Sequence, residues 1–239
     1  MSVYKRFLIL GLVFITASAM VMGQSNRTST SGQDMTVEQS YLQESIELMI
    51  IREQSRAESR DMKLVALEYI RDAIDRGNTS DDIRASLEYL GLEGVVNVTR
   101  ENGRIVNNFP DVRKQAATYL GQLGTPEAKN SLKRMVNADN EPMVIAEAIR
   151  SLGVIGLNDN NEVSSVISWN VRRFHTLNPD NYLASLALDA YERIADVNGG
   201  LKDPDAFRTI QLIADGPYIT PVRNRAIALF GQLRQHESN

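Results

Sequence analysis

Side chains that could do chemistry are sparse in this chain of 239 residues, which has two histidines and no cysteine. The lack of cysteine excludes disulfides, zinc–thiolate sites, iron–sulfur clusters and cysteine nucleophiles. Neither His175 nor His236 has a partner at metal-ligand spacing. The sequence also contains no zinc-protease, P-loop, dinucleotide-binding or nucleophile-elbow motif. We therefore expect no catalytic residue, metal or cofactor, and we predict that the protein is not an enzyme.

Acidic residues form three clusters, at 81–82, 159–162 and 203–205, and each lies at the start of a predicted helix. Carboxylates at that end of a helix accept hydrogen bonds from free backbone amides and match the positive end of the helix dipole. The cluster at 159–162 lacks the ligand spacing of a calcium-binding loop. We interpret all three clusters as helix caps.

The predicted helix 162–176 is the most informative of the segments with reactive or recognition-type side chains. Its apolar residues share one face, and they are Val163, Val166, Ile167, Val171 and Phe174. Trp169 points about 120° away from the centre of that face, and Arg172 and Arg173 lie beyond it. Because Trp and Arg dominate binding hot spots, we predict a partner-binding anchor here. The alternative is that Trp169 is simply buried against a neighbouring helix.

Helical periodicity extends over nearly the whole chain from Thr36 onward. Thr36 and Gln39 form a capping-box pattern, and later helices begin with a capping residue followed by proline. These starts are Thr125-Pro126, Asp203-Pro204 and Thr220-Pro221. Glycines that favour the left-handed conformation are predicted to end helices at Gly77, Gly91, Gly124 and Gly156.

One helical pattern repeats along the chain. The segment 112–124 recurs 32 residues later at 144–156, and further copies follow at steps of 39 residues, with a looser copy at 62–73. The buried seam of these copies is predicted to contain Ala116, Ala148, Ala187 and Ala226. Small alanines let two helices approach closely, and a helix pair that cannot bury its apolar face alone must stack on its neighbours.

The pattern V-R-x-x-A-A-x-x-L-G-x-L-G at 112–124, followed by T-P-E-A at 125–128 and a second helix, resembles the HEAT-like repeat family. The resemblance includes the variant first described in phycobilin lyases and covers roughly 61–233. It implies an all-α fold, a right-handed α-solenoid of about four to five helix pairs. It also implies that Arg113 and Arg223, which share one repeat position, pair with an acidic residue of a neighbouring repeat.

The resemblance further implies that the second helices of the pairs line the concave side of the array. We predict a basic stripe with an aromatic anchor on that side, and its partner-binding residues are Trp169, Arg172, Arg173, Lys129, Lys133 and Arg134. The chain as a whole has a formal net charge of −4. An acidic protein is a poor candidate for binding nucleic acid, so we expect a protein partner.

The connection 92–111 is too long for a simple turn of this repeat. β-Rich residues at 95–99 and 104–106 flank Asn102-Gly103, which is a strong tight-turn signal. We predict a small β-hairpin near 95–106, inserted between two helices. Such a long connection is either functional or a flap that covers the edge of the core.

The N-terminus has the pattern of a targeting segment. Lys5 and Arg6 precede an apolar run at 7–22 that contains an A-x-A cleavage pattern at 17–19. This run is shorter than the roughly 20 residues of a membrane span. We expect a signal peptide at 1–23, a flexible spacer at 24–35 and a HEAT-like repeat domain at 36–239. An uncleaved leader is the alternative, and it would be the only membrane contact.

These observations predict a non-enzymatic protein-binding scaffold or adaptor, exported to the periplasm or cell envelope of a bacterium. Two alternatives remain open. A lyase or chaperone-like protein would bind a small molecule, as the phycobilin-lyase resemblance suggests. A homotypic assembly protein would form homo-oligomers through its C-terminal helix, where a first helix without a second one could expose Ile227, Phe230 or Leu233.

Overall fold

The computed structural model describes residues 36–237, which form ten α-helices, a short 3-10 helix at Asp159–Asn161 and one two-stranded hairpin. The helices are α1 (Val37–Arg56), α2 (Arg60–Asp75), α3 (Asp81–Leu92), α4 (Pro110–Leu123), α5 (Pro126–Ala138), α6 (Pro142–Ile155), α7 (Glu162–Leu177), α8 (Asn181–Asn198), α9 (Pro204–Asp215) and α10 (Thr220–Glu237). The strands are β1 (Arg100–Glu101) and β2 (Arg104–Ile105). Among residues 36–237, no helix has the length and apolar character needed to cross a membrane. The predicted signal peptide at 1–23 and spacer at 24–35 lie outside the described residues.

Most helix boundaries follow the capping signals in the sequence. The backbone N–H of Gln39 donates to the Thr36 hydroxyl, and the Thr36 N–H donates to the Gln39 side chain, so the predicted capping box is confirmed. Gly77, Gly124 and Gly156 have φ angles of +85°, +68° and +74°. These left-handed residues follow the ends of α2, α4 and α6, as predicted.

The prediction that Gly91 ends a helix is wrong, because α3 continues to Leu92. A Cβ atom at Gly91 would lie 2.6 Å from the sulfur of Met135 on α5. The glycine therefore permits α3 and α5 to approach each other closely. A glycine at a close helix contact and a glycine at a helix end look the same in the sequence.

The helices pack in two rows that run along an all-α solenoid. The first row contains α2, α4, α6, α8 and α10, and the second row contains α1, α3, α5, α7 and α9. Each helix contacts its neighbours in its own row and in the other row. The last helix, α10, packs on both α8 and α9, so that Leu229 and Leu233 are buried while Ile227 is exposed. Five consecutive helix pairs agree with the four to five predicted.

Small residues in the first row allow close packing between successive repeats. The repeat alanines Ala116, Ala148, Ala187 and Ala226 are all fully buried, as predicted. A Cβ atom at Gly121 on α4 would lie 2.7 Å from the Cβ of Ser151 on α6. A close-packed protein interior has no room for an added methyl group. The distance between successive helices of the first row therefore depends on these small side chains.

The predicted hairpin is present, with Asn102 and Gly103 in its turn at φ angles of +49° and +80°. Its strands are shorter than the sequence indicated. The prediction that 95–99 forms a strand is wrong, because most of this segment consists of a turn and one isolated bridge. Val96 and Val98 are exposed, so their β-propensity is not satisfied by a sheet.

A buried polar network fixes the base of the hairpin to the helices. The Asn107 side chain accepts a hydrogen bond from the Thr99 backbone at 2.8 Å and donates to the Asn97 carbonyl at 2.7 Å. The Asn107 amide also lies 3.4 Å from Glu93, which forms an ion pair at 2.8 Å with the fully buried Lys63 of α2. A buried charge pair of this kind is stable only when its remaining polar groups are also satisfied. The insertion is thus anchored to the core.

The repeat arginines have different partners. The guanidinium of Arg113 is buried and pairs with Asp139, between α5 and α6, at 2.6 Å. The acidic pairing implied by the resemblance is therefore confirmed for Arg113. It is wrong for Arg223, whose Nε donates instead to the backbone carbonyl of Ala214 at 3.0 Å.

Candidate interaction surface

Trp169 is an exposed aromatic side chain on the second row. Helix α7 buries Val163, Ile167 and Val171 against its neighbours. Trp169 lies on the solvent-facing side of the helix, with 50% of its surface exposed. The alternative that Trp169 is buried against a neighbouring helix is therefore wrong. An indole that is half in contact with protein and half in water is suited to contact another molecule.

Arg173 and Trp169 form a cation–aromatic pair. The guanidinium carbon of Arg173 lies 5.6 Å from the centre of the Trp169 ring and 5.4 Å from that of Phe174. Arg173 also donates a hydrogen bond to the side chain of Asn140, just beyond α5. These contacts hold the arginine in place beside the indole, so the pair is preorganised.

Arg172 lies on the same helix but faces α9. Its guanidinium is 3.5 Å from the carboxylate of Asp205, which also pairs with Arg208 at 3.0 Å. The Arg172 side chain is partly exposed. Arg172 therefore links α7 to the next helix of the second row.

The two predicted lysines on α5 are ion-paired with α7. Lys129 is only 6% exposed, and both Lys129 and Lys133 contact the Glu162 carboxylate at the start of α7. The hydrogen bond to Glu162 raises the pKa of Lys129, against the opposing effect of burial. Burial alone would raise the pKa of Glu162, but the hydrogen bonds from the two lysines lower it below its ordinary value. Lys129 is therefore not an exposed binding residue, and the charge of Lys133 is shared with an internal partner.

Arg134 is exposed on α5 but is also paired. It contacts the Glu88 carboxylate on α3, which in addition lies 3.1 Å from Arg84 and accepts a hydrogen bond from Ser131. One carboxylate thus serves two guanidinium groups. Arg134 thus links α5 to α3, whereas Lys129 and Lys133 link α5 to α7.

These contacts form an ion-pair ladder between successive helices of the second row. Its pairs are Asp82 with Arg52, Glu88 with Arg134, Glu162 with Lys129 and Lys133, and Asp205 with Arg172. All of these carboxylates except Glu88 lie in the first turn of a helix. Of the three acidic clusters interpreted as helix caps, only that at 203–205 supplies a side-chain cap, through Asp203, whereas all three receive cations from the preceding helix of the second row. A continuous basic stripe is not formed, because most of its charge is neutralised within the array. Its aromatic anchor, Trp169 with Arg173, remains exposed, and the binding role of the six residues stays a prediction.

His175 lies in the last turn of α7, with its Nδ1 3.3 Å from the hydroxyl of Tyr218. Burial raises the pKa of Tyr218 to about 12. This places a neutral phenol beside the imidazole. The side chain of His236 lies outside the described part of the chain. Within residues 36–237, no group of three His, Asp or Glu side chains is placed to hold a metal ion.

The Glu162 cluster gives a testable dependence of stability on pH. Because the folded-state pKa of Glu162 lies below 4.5, its carboxylate contributes stability above pH 4.5, and this contribution is lost as the pH falls through the folded-state value. We expect Glu162→Gln to lower the free energy of unfolding at neutral pH and to reduce the difference between neutral and acidic pH. Urea unfolding followed by circular dichroism at both pH values measures this difference.

Glu101→Gln is the matched control, because Glu101 is exposed on the hairpin and has no ion-pair partner among the described residues. We expect this variant to keep the wild-type pH profile. Identical profiles for the two variants would show that the Glu162 cluster does not contribute to acid sensitivity.

Comparison with known proteins supports the repeat architecture. Residues 104–163 match a family model described as HEAT repeats. The matched stretch runs from β2 to the first turn of α7 and contains the two repeat copies at 112–124 and 144–156. No curated protein shows a significant match to the chain. This part of the chain is thus HEAT-like, and HEAT repeats generally serve as protein-interaction scaffolds.

Proposed function

We propose that this protein is a non-enzymatic scaffold or adaptor of the cell envelope that holds a protein partner on the concave face of its repeat array, which the second row is expected to line. The observation that supports this most directly is the half-exposed Trp169 with Arg173 fixed beside it. The neighbouring cations are engaged within the array, so this pair stands out from a surface of satisfied ion pairs. Because the site is preorganised, little ordering of side chains would oppose binding.

Export is part of the proposal and is supported by the leader pattern at 1–23, while the lack of cysteine favours a bacterial periplasm over a eukaryotic secretory route. A chain without disulfides depends on packing alone, and a continuous two-row array supplies that packing. A fusion of residues 1–35 to a reporter that is active only outside the cytoplasm tests the location. An inactive but stably expressed fusion would argue against export.

A site-specific crosslinking experiment tests the binding surface. Asn137 is exposed on α5, one turn before the Asn140 that contacts Arg173. A photo-crosslinking amino acid at this position is expected to trap a discrete partner in intact cells. The same group at Val154, which is exposed on the first-row helix α6, is expected to trap none.

The variant Trp169→Ala is expected to reduce the Asn137 crosslink about tenfold, which is a typical loss for a hot-spot aromatic residue. Tyr182→Ala is the matched control, because Tyr182 is similarly exposed but lies on the first-row helix α8. Both variants should retain wild-type helicity by circular dichroism, since each truncates an exposed side chain. An undiminished crosslink in Trp169→Ala would remove this surface from the proposal. A tightly bound chromophore in the purified protein would favour the lyase alternative instead.

A further inference from the structure

A second surface lies at the opposite end of the second row, between α1, α3 and α5. A groove of about 470 Å³ opens at the base of the hairpin, and a cleft of about 250 Å³ lies next to it beside α1. The two are adjacent, because Arg56, Ala85 and Tyr89 line both. The size of the groove lies in the range that binds a small ligand or a few residues of a peptide.

The groove has an apolar floor. Ala85, Tyr89 and Leu92 line it from α3, and Val96 lines it from the hairpin side with 52% of its surface exposed. The Tyr89 ring lies 5.8 Å from the buried ammonium of Lys63 and 5.9 Å from the guanidinium of Arg56. Burial, followed by the charge of Glu93, raises the pKa of Tyr89, so its hydroxyl remains a neutral hydrogen-bond donor at physiological pH. An aliphatic side chain would find a complementary surface here.

Among the described residues of the rim, arginines outnumber carboxylates by one, and the unmatched arginine is Arg56. Arg84 and Arg134 share the single carboxylate of Glu88, and the exposed Asp81 offsets part of the Arg84 charge at 3.2 Å. On the other side, Asp82 is paired with Arg52 at 2.8 Å.

Arg56 contacts the Tyr89 ring and has no carboxylate partner among the described residues. It is an exposed cation on a protein whose formal net charge is −4. A cation without an internal partner distinguishes this groove from the neutralised ladder around Lys129 and Lys133.

We propose that this groove binds an extended acidic segment of a partner protein, with an aliphatic side chain on the Tyr89–Val96 floor. One carboxylate of the segment pairs with Arg56 and another with the Arg84–Arg134 pair. Charge-assisted hydrogen bonds from arginine to carboxylate are stronger than neutral ones and give orientation as well as affinity. The site adds a partner chemistry to the proposed scaffold function but does not involve Trp169, so either proposal can fail alone.

Fluorescence anisotropy with a labelled synthetic peptide, Gly-Ser-Asp-Glu-Leu-Glu-Asp-Ser-Gly, tests the groove on the full chain. We expect binding that weakens with added salt and that is about tenfold tighter than for a peptide with Asn and Gln in place of the acids. Replacing the leucine of the peptide with serine should also weaken binding, because the floor then has no apolar partner. Equal affinity for all three peptides would overturn the proposal.

Arg56→Glu is expected to weaken peptide binding about tenfold, since it replaces an attractive charge with a repulsive one. The matched control is Arg193→Glu, which makes the same charge change at an exposed position of the first-row helix α8 and should leave affinity unchanged. Val96→Asp places a negative charge on the floor and should also weaken binding. This second variant keeps the proposal testable if Arg56→Glu fails to fold. Circular dichroism measures the folding of both variants directly.

Three results would contradict an acidic protein segment as the occupant. Equal losses in Arg56→Glu and Arg193→Glu would indicate attraction by net charge alone. Competition by a single-stranded oligonucleotide as strong as by unlabelled peptide would indicate a nucleic-acid site. A wild-type dimer in sedimentation that Arg56→Glu converts to a monomer would place a second copy of this chain in the groove.

Discussion

Replacing Asp139 with alanine is expected to lower the free energy of unfolding by about 3–5 kcal/mol, the loss expected when one partner of a buried ion pair is removed. Arg113 is 1% exposed, and its Nε and Nη2 donate to the Asp139 carboxylate at 2.6 Å and 3.3 Å. Without Asp139, this cation would stay buried with only neutral acceptors, namely Asn108 at 2.7 Å and the Glu93 carbonyl at 3.3 Å.

Asp139 also organises the connection between α5 and α6. Its carboxylate accepts hydrogen bonds from the backbone N–H groups of Asn140 and Glu141 at 2.8 Å and 2.9 Å. Truncation would leave these two donors and the Arg113 guanidinium without their shared acceptor. The loss should therefore exceed that of an ordinary buried hydrogen bond, which is about 1 kcal/mol.

Asp82→Ala is the matched control, because Asp82 pairs with Arg52 at 2.8 Å while both side chains are about half exposed. An exposed pair of this kind contributes at most about 1 kcal/mol. Urea unfolding followed by circular dichroism measures both variants. The double variant Arg113→Met with Asp139→Ala should recover part of the loss, because it leaves no buried charge. Equal effects of Asp139→Ala and Asp82→Ala would show that burial does not determine the strength of the Arg113 pair.

The fold was predictable because its signals are local. The capping box at Thr36 and the left-handed glycines at 124 and 156 lie within a few residues of the structure they determine. The buried alanines at positions such as 116 and 148 repeat with the helices, and a solenoid requires contacts only between neighbouring repeats. Gly91 was misassigned because only the position of Met135, far along the chain, shows that it is a packing residue.

The candidate surface was predicted less well, because charge neutralisation depends on contacts between repeats. Lys133 and Glu162 are 29 positions apart, and Arg134 and Glu88 are 46 apart. Examined singly, the segment containing Lys133 and Arg134 looks basic and the one beginning at Glu162 looks acidic. The separation of Lys133 from Glu162 is close to the shorter repeat offset, and this was the one signal that could have indicated a ladder.

The Arg56–Tyr89 groove was missed for a related reason. Its walls come from α1, α3, α5 and the hairpin, and its cations Arg56 and Arg134 lie on other helices than the floor residues of α3. Tyr89 is part of an ordinary amphipathic pattern, and Arg56 is one basic residue at a helix end. Their significance depends on their proximity and on the absence of a carboxylate beside Arg56 among the described residues.

Replacing Gly153 with leucine is expected to destabilise the protein by about 3 kcal/mol, the upper end of the usual cost of overpacking a close contact. A Cβ atom at Gly153 on α6 would lie 2.6 Å from the Cα and 2.8 Å from the Cβ of Ala190 on α8. The nearest of these atoms belongs to the backbone, so the clash cannot be relieved by a side-chain rotation. The two first-row helices would have to separate.

Gly231→Leu is the matched control within the same row, because a Cβ atom at Gly231 on α10 would meet no atom within 4 Å. Leucine favours the helix over glycine by about 0.5–1 kcal/mol, so this variant should be slightly stabilised. The same substitution is thus expected to have opposite signs at two first-row glycines. Calorimetry distinguishes them, and a weakened junction between α6 and α8 should also split unfolding into two transitions, since each repeat is stabilised by its neighbours. Similar, single transitions for both variants would mean that close packing at Gly153 does not couple the two halves of the array.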